Sequence, residues 1–478
     1  MRNIQRVALA LCAVGMACPA VAGETLLGAV NKAVENHPQV EQVKAQIDAA
    51  KAEKSSEKSG FFPELNVNAS GGRIYGDNST TRGLTVSRGA AYSNYWEGGA
   101  TARQPIFDGF EALSRTRSAD RGIKSADMAL LDVREQLTLR TVQTYLNVLQ
   151  SRKALAMLRE QQKKMDDYVG RISSMVEQGG ADEAELQQAK DVKLLLEGFV
   201  NDYEGQNEIA QSQYFELTGD LPDAEMQSPE INPDLEPMDL DAAITQALGR
   251  HPLLKSAEFT SQSVEQDIEA EKAALYPDLD GELSYLQSDK REEIGGEVTD
   301  ARALLRLNWN FETGGGQFAR IRQRKEEHRE ALAREEEVRK QIDRDIRLAY
   351  AEYDLAKQRL KNQKKRCDLN LKLFKTYETQ FEGGAVSVLQ LMQSDNQVFN
   401  TKLQHELSRY ALLNAQYNVL AAMGRLYAGL HDGQALQDEA QDLSEGVSET
   451  VAMKEEESKE EVGQKGLYNY GAIKGDDE

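Results

Sequence analysis

Between residues 106 and 221, and again from 278 to the end, the sequence contains no proline. Both stretches are therefore free of the strongest helix breaker. Aromatic residues make up only 6% of the chain, against 28% charged residues. That balance does not suit one thick apolar core, but it does suit long helices packed along narrow seams. Cysteine is nearly missing. Cys12 and Cys18 sit in the leader and leave Cys367 alone, so no intrachain disulfide is expected in the rest. No segment after the leader offers the roughly 20 apolar residues of a membrane helix. Entry into a bilayer would need a closed β-barrel. The net charge of −22 argues against nucleic acid as a partner.

The leader itself is legible. Arg2 and Arg6 give a positive start, Val7 to Ala17 is apolar but short, and Ala20-Val21-Ala22 offers a small-residue cleavage site. Residues 1–22 are expected to be a secretory signal, with the mature chain starting at Gly23. A lipid anchor on Cys18 is disfavoured by Gly15, which stands where a Leu-like residue is wanted. At the other end, Gly433 to Glu478 holds 13 acids against 4 lysines, and this tail is expected to be disordered.

Between these ends the chain repeats itself. His37-Pro38 recurs as His251-Pro252, and Phe62-Pro63 as Tyr276-Pro277. Further on, Phe107 matches Phe311, Gly179-Gly180 matches Gly383-Gly384, and Gly219 matches Gly424. The expected layout is a first repeat at 23–219, a linker at 220–239 carrying four prolines, and a second repeat at 240–428. The second repeat is about ten residues shorter between its X-Pro step and its Phe, where a surface loop of variable length belongs.

Each repeat carries two segments that alternate. Leu65, Val67 and Ala69 oppose Asn66, Asn68 and Ser70, and Leu279, Leu283 and Tyr285 oppose Asp280, Glu282 and Ser284. Trp96, Ala100 and Ala102 oppose Glu97, Thr101 and Arg103. Ala301 to Phe311 alternates throughout, apart from Leu304. Period two over about ten residues predicts hairpins at about 64–107 and 278–311, of a length suited to a tilted membrane strand. Trp96, Trp309 and Phe311 fall on the apolar face as candidate membrane-interface aromatics. Four strands are too few to close a barrel, whereas three copies would supply twelve.

The remaining sequence predicts helices. Runs from about Phe110 to Gln178 and from about Gln317 to Glu382 would each extend ~100 Å at about 1.5 Å per residue. Ile346, Tyr353, Leu360, Cys367, Phe374 and Phe381 form a seven-residue seam, matched in the first repeat by Val148, Leu155, Gln162, Val169 and Val176. Cys367 reads as a buried packing thiol. Each long helix stops at a Gly-Gly turn, Gly179-Gly180 or Gly383-Gly384, and shorter helices return at about 182–218 and 386–424. The helices at about 26–58 and 240–275 are expected to stack end to end with these.

Chemistry is scarce. The five histidines show neither an i,i+4 pair nor HExxH, so no metal is expected. His37 and His251 precede Pro at what reads as a helix start. Gly314-Gly315-Gly316 lacks a following Gly-Lys-Ser/Thr and reads as a junction with room for tight packing. Arg320 to Lys325 is followed at once by acids and reads as a solvated helix face. No nucleophile–base pattern appears. An enzyme is not expected, nor is a cofactor.

The ordered duplication resembles the TolC family of outer-membrane efflux proteins over about 24–428. The resemblance is carried also by Asn36-His37-Pro38, Gln104-Pro105-Ile106-Phe107-Asp108-Gly109 and Gly384-Ala385-Val386-Ser387-Val388-Leu389. It implies a mainly α fold with a small β part: a homotrimer with a twelve-stranded barrel in outer-membrane lipid and a helical tunnel across the periplasm. It implies a periplasmic adaptor at the tips, Gly179, Gly180, Gly383 and Gly384, and beyond it an inner-membrane ABC transporter or proton-driven pump. It puts the pore constriction near Phe381, Gln390, Gln393 and Asp395. Family members often carry acids six and nine positions past the second turn, where this chain has Gln390 and Gln393. The family's Tyr and bracing Arg are here Phe381 and Val386. Cargo would be polypeptide, as in type I secretion, or small molecules, as in multidrug efflux. A soluble periplasmic coiled-coil scaffold is the rival class, and it leaves the alternating strands unexplained.

Overall fold

The computed structural model describes residues 24–75, 93–229, 239–290 and 297–431. The leader, the acidic tail, most of both hairpin loops and residues 230–238 of the linker lie outside that set.

In chain order the first elements are α1 (Leu26–Asn36), α2 (Pro38–Ser59), β1 (Glu64–Ile74), β2 (Ser93–Phe107), α3 (Glu111–Glu177) and α4 (Glu183–Thr218). The order then recurs as α5 (Leu240–Arg250), α6 (Pro252–Lys272), β3 (Asp278–Lys290), β4 (Glu297–Asn308), α7 (Gly316–Glu382) and α8 (Val388–Ala422), followed by a short α9 (Leu426–Leu430). The long helices α3 and α7 have 67 residues each.

The segments read as single helices at 26–58 and 240–275 are each two helices, broken at His37-Pro38 and His251-Pro252. The break has a local cause. Proline has no N–H and pushes the residue before it into extended backbone. His37 and His251 are extended there, and each Nδ1 accepts the backbone N–H two residues on, from Gln39 and Leu253, at 3.2 Å. The same cap thus starts α2 and α6. Burial pushes the His251 imidazole down to about 4, which keeps it neutral and able to accept.

The chain packs as two compact units, and each draws on both repeats. One takes the described residues 24–36, 137–229 and 355–414. Its core joins Leu158, Met165 and Ile172 of α3, Leu186 and Leu196 of α4, and Met392, Phe399 and Leu403 of α8. The buried stripe of α3 therefore runs through Ala154, Leu158, Gln161, Met165 and Ile172. The row read from sequence, Leu155 to Val176, is only half-buried beside it. In this unit the described part of the linker is tied down. The buried Tyr145 hydroxyl donates to the carbonyls of Glu24 (2.7 Å) or Gln227 (2.8 Å), and Arg152 donates to those of Pro222, Asp223 and Ala224.

The other unit takes the described residues 37–75, 93–136, 239–290, 297–354 and 415–431. It holds the sheet and a core of Ile244, Ala247, Leu254, Ile342, Ile346, Val419 and Met423. Gly424, just past α8, lies against His251-Pro252. A Cβ there would stand 2.8 Å from Pro252 Cδ, so the end of α8 abuts the start of α6, as the stacking expectation requires in the second repeat. Of the glycine trio after β4, Gly314 and Gly315 have open space around them rather than close packing. Along the α7 seam only Ile346 is fully buried, and Tyr353 through Phe381, Cys367 among them, are half-buried.

A buried acid holds the chain after Gly424. The Glu135 carboxyl oxygens accept the backbone N–H groups of Leu426 (3.0 Å) and Tyr427 (3.1 Å), at the start of α9. Arg134 lies over the Tyr427 ring. Burial outweighs the two hydrogen bonds and pushes the Glu135 carboxyl from 4.5 to about 8. The folded chain thus keeps a proton that the unfolded chain has released, so this contribution to stability is full below about 4.5 and is lost as pH rises through about 8. Thermal unfolding of the detergent-solubilised protein should fall in midpoint across that window, and Glu135→Gln should flatten the fall. An unchanged pH profile in Glu135→Gln would show that this carboxyl is not the source.

Candidate functional site

Two regions carry the features that the sequence singled out, one in each compact unit. The first is the sheet. It is antiparallel in the order β1-β2-β3-β4, with β2 paired to β3 across the two repeats. Registers such as Leu65↔Ala102, Ala102↔Leu283 and Leu283↔Ala303 place one apolar row on a single face. That face points outward: Leu305 is 74% exposed and Val67 71%. The opposite face is polar and is covered only in the middle of the sheet, where Asp280 is 4% exposed, while Arg103, Arg302 and Arg306 stay exposed. Its charges are paired. Arg103 Nη2 meets Asp280 Oδ2 at 2.6 Å, Arg306 meets Glu282 at 2.8 Å, and Arg302 meets Asp300. An exposed apolar face is the reverse of a water-soluble sheet, where that face is the one that packs. It is the sense of a membrane barrel, apolar outside and polar inside.

The two tryptophans stand at opposite ends of this sheet. Trp96 pairs with Asp289 towards the hairpin loops. Trp309 follows Asn308, which pairs with Asp278 at the other end. Trp309 and Phe311 lie beyond β4, which ends at Asn308 rather than at 311. The Trp309 indole N–H turns back to the Leu275 carbonyl at 3.2 Å, and its ring sits 4.7 Å from that of Phe311. Those contacts take the chain out of the ladder. At the matching exit of β2, Asp108 Oδ2 caps α3 by accepting the Ala112 N–H at 2.8 Å, which gives the Phe107-Asp108-Gly109 stretch its structural role.

The second region holds the glycine turns. Gly179 has φ 71° and Gly384 φ 72°, values open to glycine and costly to other residues. Each closes a Schellman pattern: Gly179 N to Val176 O and Gly180 N to Met175 O, and then Gly384 N to Phe381 O and Ala385 N to Gln380 O. The left-handed residue is the first glycine of one pair and the second of the other. Gly179 therefore matches Gly384 at 205 positions, the same spacing as Gly219 to Gly424, and not the 204 that aligning the pairs gives.

Past the second turn the four constriction residues separate. Phe381 packs against the helical core. Gln390 and Gln393 are exposed and, with Ser394 and Gln397 of α8 and Asn370, Leu373 and Tyr377 of α7, line a groove of about 280 Å³. Gln390 has a second task. Its Oε1 accepts the Ser387 N–H and Ser387 Oγ accepts the Gln390 N–H, both at 3.3 Å, a reciprocal helix cap. Asp395 does not join them. It is buried, and its Oδ2 accepts Gln161 Nε2 at 2.9 Å. Burial and the nearby Asp395 charge push the Tyr168 hydroxyl up to about 12. The Ser387-x-x-Gln390 cap was readable from sequence. The Gln161–Asp395 pair, 234 residues apart, was not. Among the described residues no group of three or more His, Cys, Asp or Glu side chains is placed to hold a metal, and no helix is long and apolar enough to cross a membrane.

A sheet that is apolar outside and paired-charge inside, joined to helices of some 67 residues, defines an outer-membrane channel of the helical-tunnel kind. The model of the outer membrane efflux protein family matches residues 29–219 and 243–425, and the chain belongs to that family. It is 22% identical over 411 residues to the outer membrane efflux protein BepC of Brucella suis biovar 1, covering 86% of this chain and 87% of that one. It is 22% identical over 316 residues to the outer membrane protein TolC of Vibrio cholerae serotype O1, covering 63% and 68%. In structure it is similar to the Campylobacter jejuni CmeC outer membrane channel, with a TM-score of 0.74, 15% identity, and 88% and 89% of the two chains covered. The open state of the Neisseria gonorrhoeae MtrE channel gives a TM-score of 0.70 at 14% identity, covering 84% and 89%. The protein is therefore a channel component of the outer membrane that extends into the periplasm.

The two faces of the sheet make opposite predictions. Leu305→Arg puts a charge on the apolar face and should cost about 2–4 kcal/mol if that face meets lipid near mid-bilayer, lowering the yield of membrane-inserted protein. Thr101→Arg, on the polar face, should insert normally. Equal yields from heat-modifiable gel assays of the two variants would contradict the assignment of faces. At the turns, Gly384→Ala should cost about 1–2 kcal/mol through its left-handed backbone. Limited proteolysis should then cut faster near residue 384, with the sheet unaffected.

Proposed function

We propose that three copies of the chain assemble, so that their sheets close a twelve-stranded barrel in outer-membrane lipid and their helices form a tunnel across the periplasm. The observation that carries this is the open sheet. Among the described residues the outer edges of β1 and β4 have no strand partner, while the apolar face is exposed. Strand edges are not tolerated in hydrocarbon, and four strands do not close alone. Trp96 and Trp309 act as interface aromatics. They are separated by about eleven residues of β3, or ~36 Å along the strand at about 3.3 Å per residue. At a tilt of about 45° that is ~25 Å along the membrane normal, the height of an apolar barrel band. The rival reading as a soluble periplasmic scaffold leaves this face without a solvent.

The turns at Gly179-Gly180 and Gly383-Gly384 are the docking tips for a periplasmic adaptor, with an ABC transporter or proton-driven pump in the inner membrane. The channel opens by a shift of helix packing at these tips and has no reaction of its own. The cargo is a polypeptide, as in type I secretion. Export of small molecules is the second reading, favoured by the relatives named efflux proteins. Deletion of the gene should stop a polypeptide from reaching the medium. A loss of drug resistance with secretion intact would favour the second reading.

Gln390 and Gln393 face the pore and give it a weak electrostatic filter, because a neutral amide polarises permeant ions far less than a carboxylate. In planar bilayers the wild-type channel should show a small reversal potential in a salt gradient. Gln390→Glu with Gln393→Glu, which keeps the helix cap, should shift it toward cation selectivity. Strong cation selectivity in the wild type, abolished by Gln393→Ala, would overturn this.

A further inference from the structure

In the core that joins α3 to α8, apolar residues flank a polar contact between the two helices. On α3, Leu158 and Met165 stand three residues before and four after Gln161, and on α8, Met392 and Phe399 stand at the same spacings from Asp395. Gln161 is 2% exposed and Asp395 9%. Ser394 and Thr401 of α8 are buried too, but the Thr401 hydroxyl bonds to carbonyls of its own helix, whereas Gln161 and Asp395 meet across the seam at 2.9 Å.

Apolar side chains tolerate sliding. Leucine against methionine is much the same contact one turn higher or lower. A buried hydrogen-bonded pair does not tolerate it, since every other register leaves a carboxylate and an amide unpaired among hydrocarbon. Sliding α8 along α3 by one turn, about 5.4 Å, would bring Asp395 against Leu158 or Met165. A single polar residue at a core position is a known way to fix helix register. We propose that the Gln161–Asp395 pair is a register lock that sets the height of α8 on α3. Gln390 and Gln393, five and two residues before Asp395 on the opposite face of α8, are held at one level by it. The lock itself rests on the geometry of this core alone. Its effect on the pore rests also on the reading of Gln390 and Gln393 as pore residues. Both residues are positioning residues and touch no cargo.

The test uses the full-length protein carrying Cys367→Ala, with spin labels on cysteines substituted for the exposed Lys163 and Lys402, mixed with an excess of unlabelled chain so that an assembly carries one labelled copy. Pulsed electron resonance then reads the distance between α3 and α8. The reference protein should give one narrow distance, and so should Asp395→Asn, which keeps the acceptor for Gln161. Gln161→Leu with Asp395→Leu should still fold, because apolar replacement of a buried pair is commonly neutral or stabilising. It should nevertheless give a broadened or two-peaked distribution. The same variants without labels are compared in planar bilayers, where the double leucine variant should show several conductance levels in place of one. A double leucine variant with the single narrow distance would overturn the lock. Altered distances with an unaltered conductance would overturn its effect on the pore. A wild type without any conductance would overturn the channel reading, and the distances would still decide the lock.

Discussion

The fold depends on one constraint. A sheet that turns its apolar face outward and pairs its charges on the other face is unfinished in water. Leu65, Val67, Leu283, Leu305 and Leu307 need a solvent other than water, and the rims of β1 and β4 need backbone partners. In the proposed assembly lipid supplies the first and further copies of the chain the second. The ion pairs on the polar face, Arg103 with Asp280 and Arg306 with Glu282, would then line an interior where charge is tolerated.

The helices solve a different problem with the same economy. Two helices of 67 residues are stabilised by narrow seams, and each is ended by a glycine that closes a Schellman pattern. Shorter helices complete the repeat, begun by His-Pro caps or by Ser387 and Gln390 acting together. Polar groups enter these seams at few points, and each does a definite job. Glu135 holds the chain after Gly424, Tyr145 holds the linker, and Gln161 with Asp395 joins α3 to α8.

Much of this was legible in the sequence because it is periodic. Alternation predicted the strands, the absence of proline predicted the long helices, and Gly179 and Gly384 marked their ends. What escaped was set by contacts between distant residues. The seam row of α3 was read one stripe away from the buried one, because Val148 is buried in either row and Gln161, the polar member of the true stripe, looks like a surface residue. Asp395 was grouped with Gln390 and Gln393 by proximity, although its helical phase turns it into the core. Strand β4 was read through Phe311 because the alternation continues past Asn308, while the Trp309 indole hydrogen bond and the ring contact with Phe311 have already taken the chain off the sheet. His37-Pro38 was read as a helix start, yet the helix before it was not separated, since the sequence stays helical on both sides.

The claim that tests most of this is that copies of the chain close the barrel through β1 and β4. Single cysteines along β1, at Asn66, Asn68 or Ser70, combined with single cysteines along β4, at Arg302, Leu304 or Arg306, in a Cys367→Ala chain, would measure it by oxidation in intact outer membranes. Some pairs should give cross-linked dimers and a closed covalent trimer on denaturing gels. A folded, membrane-inserted chain that stays monomeric with every pair would contradict the account.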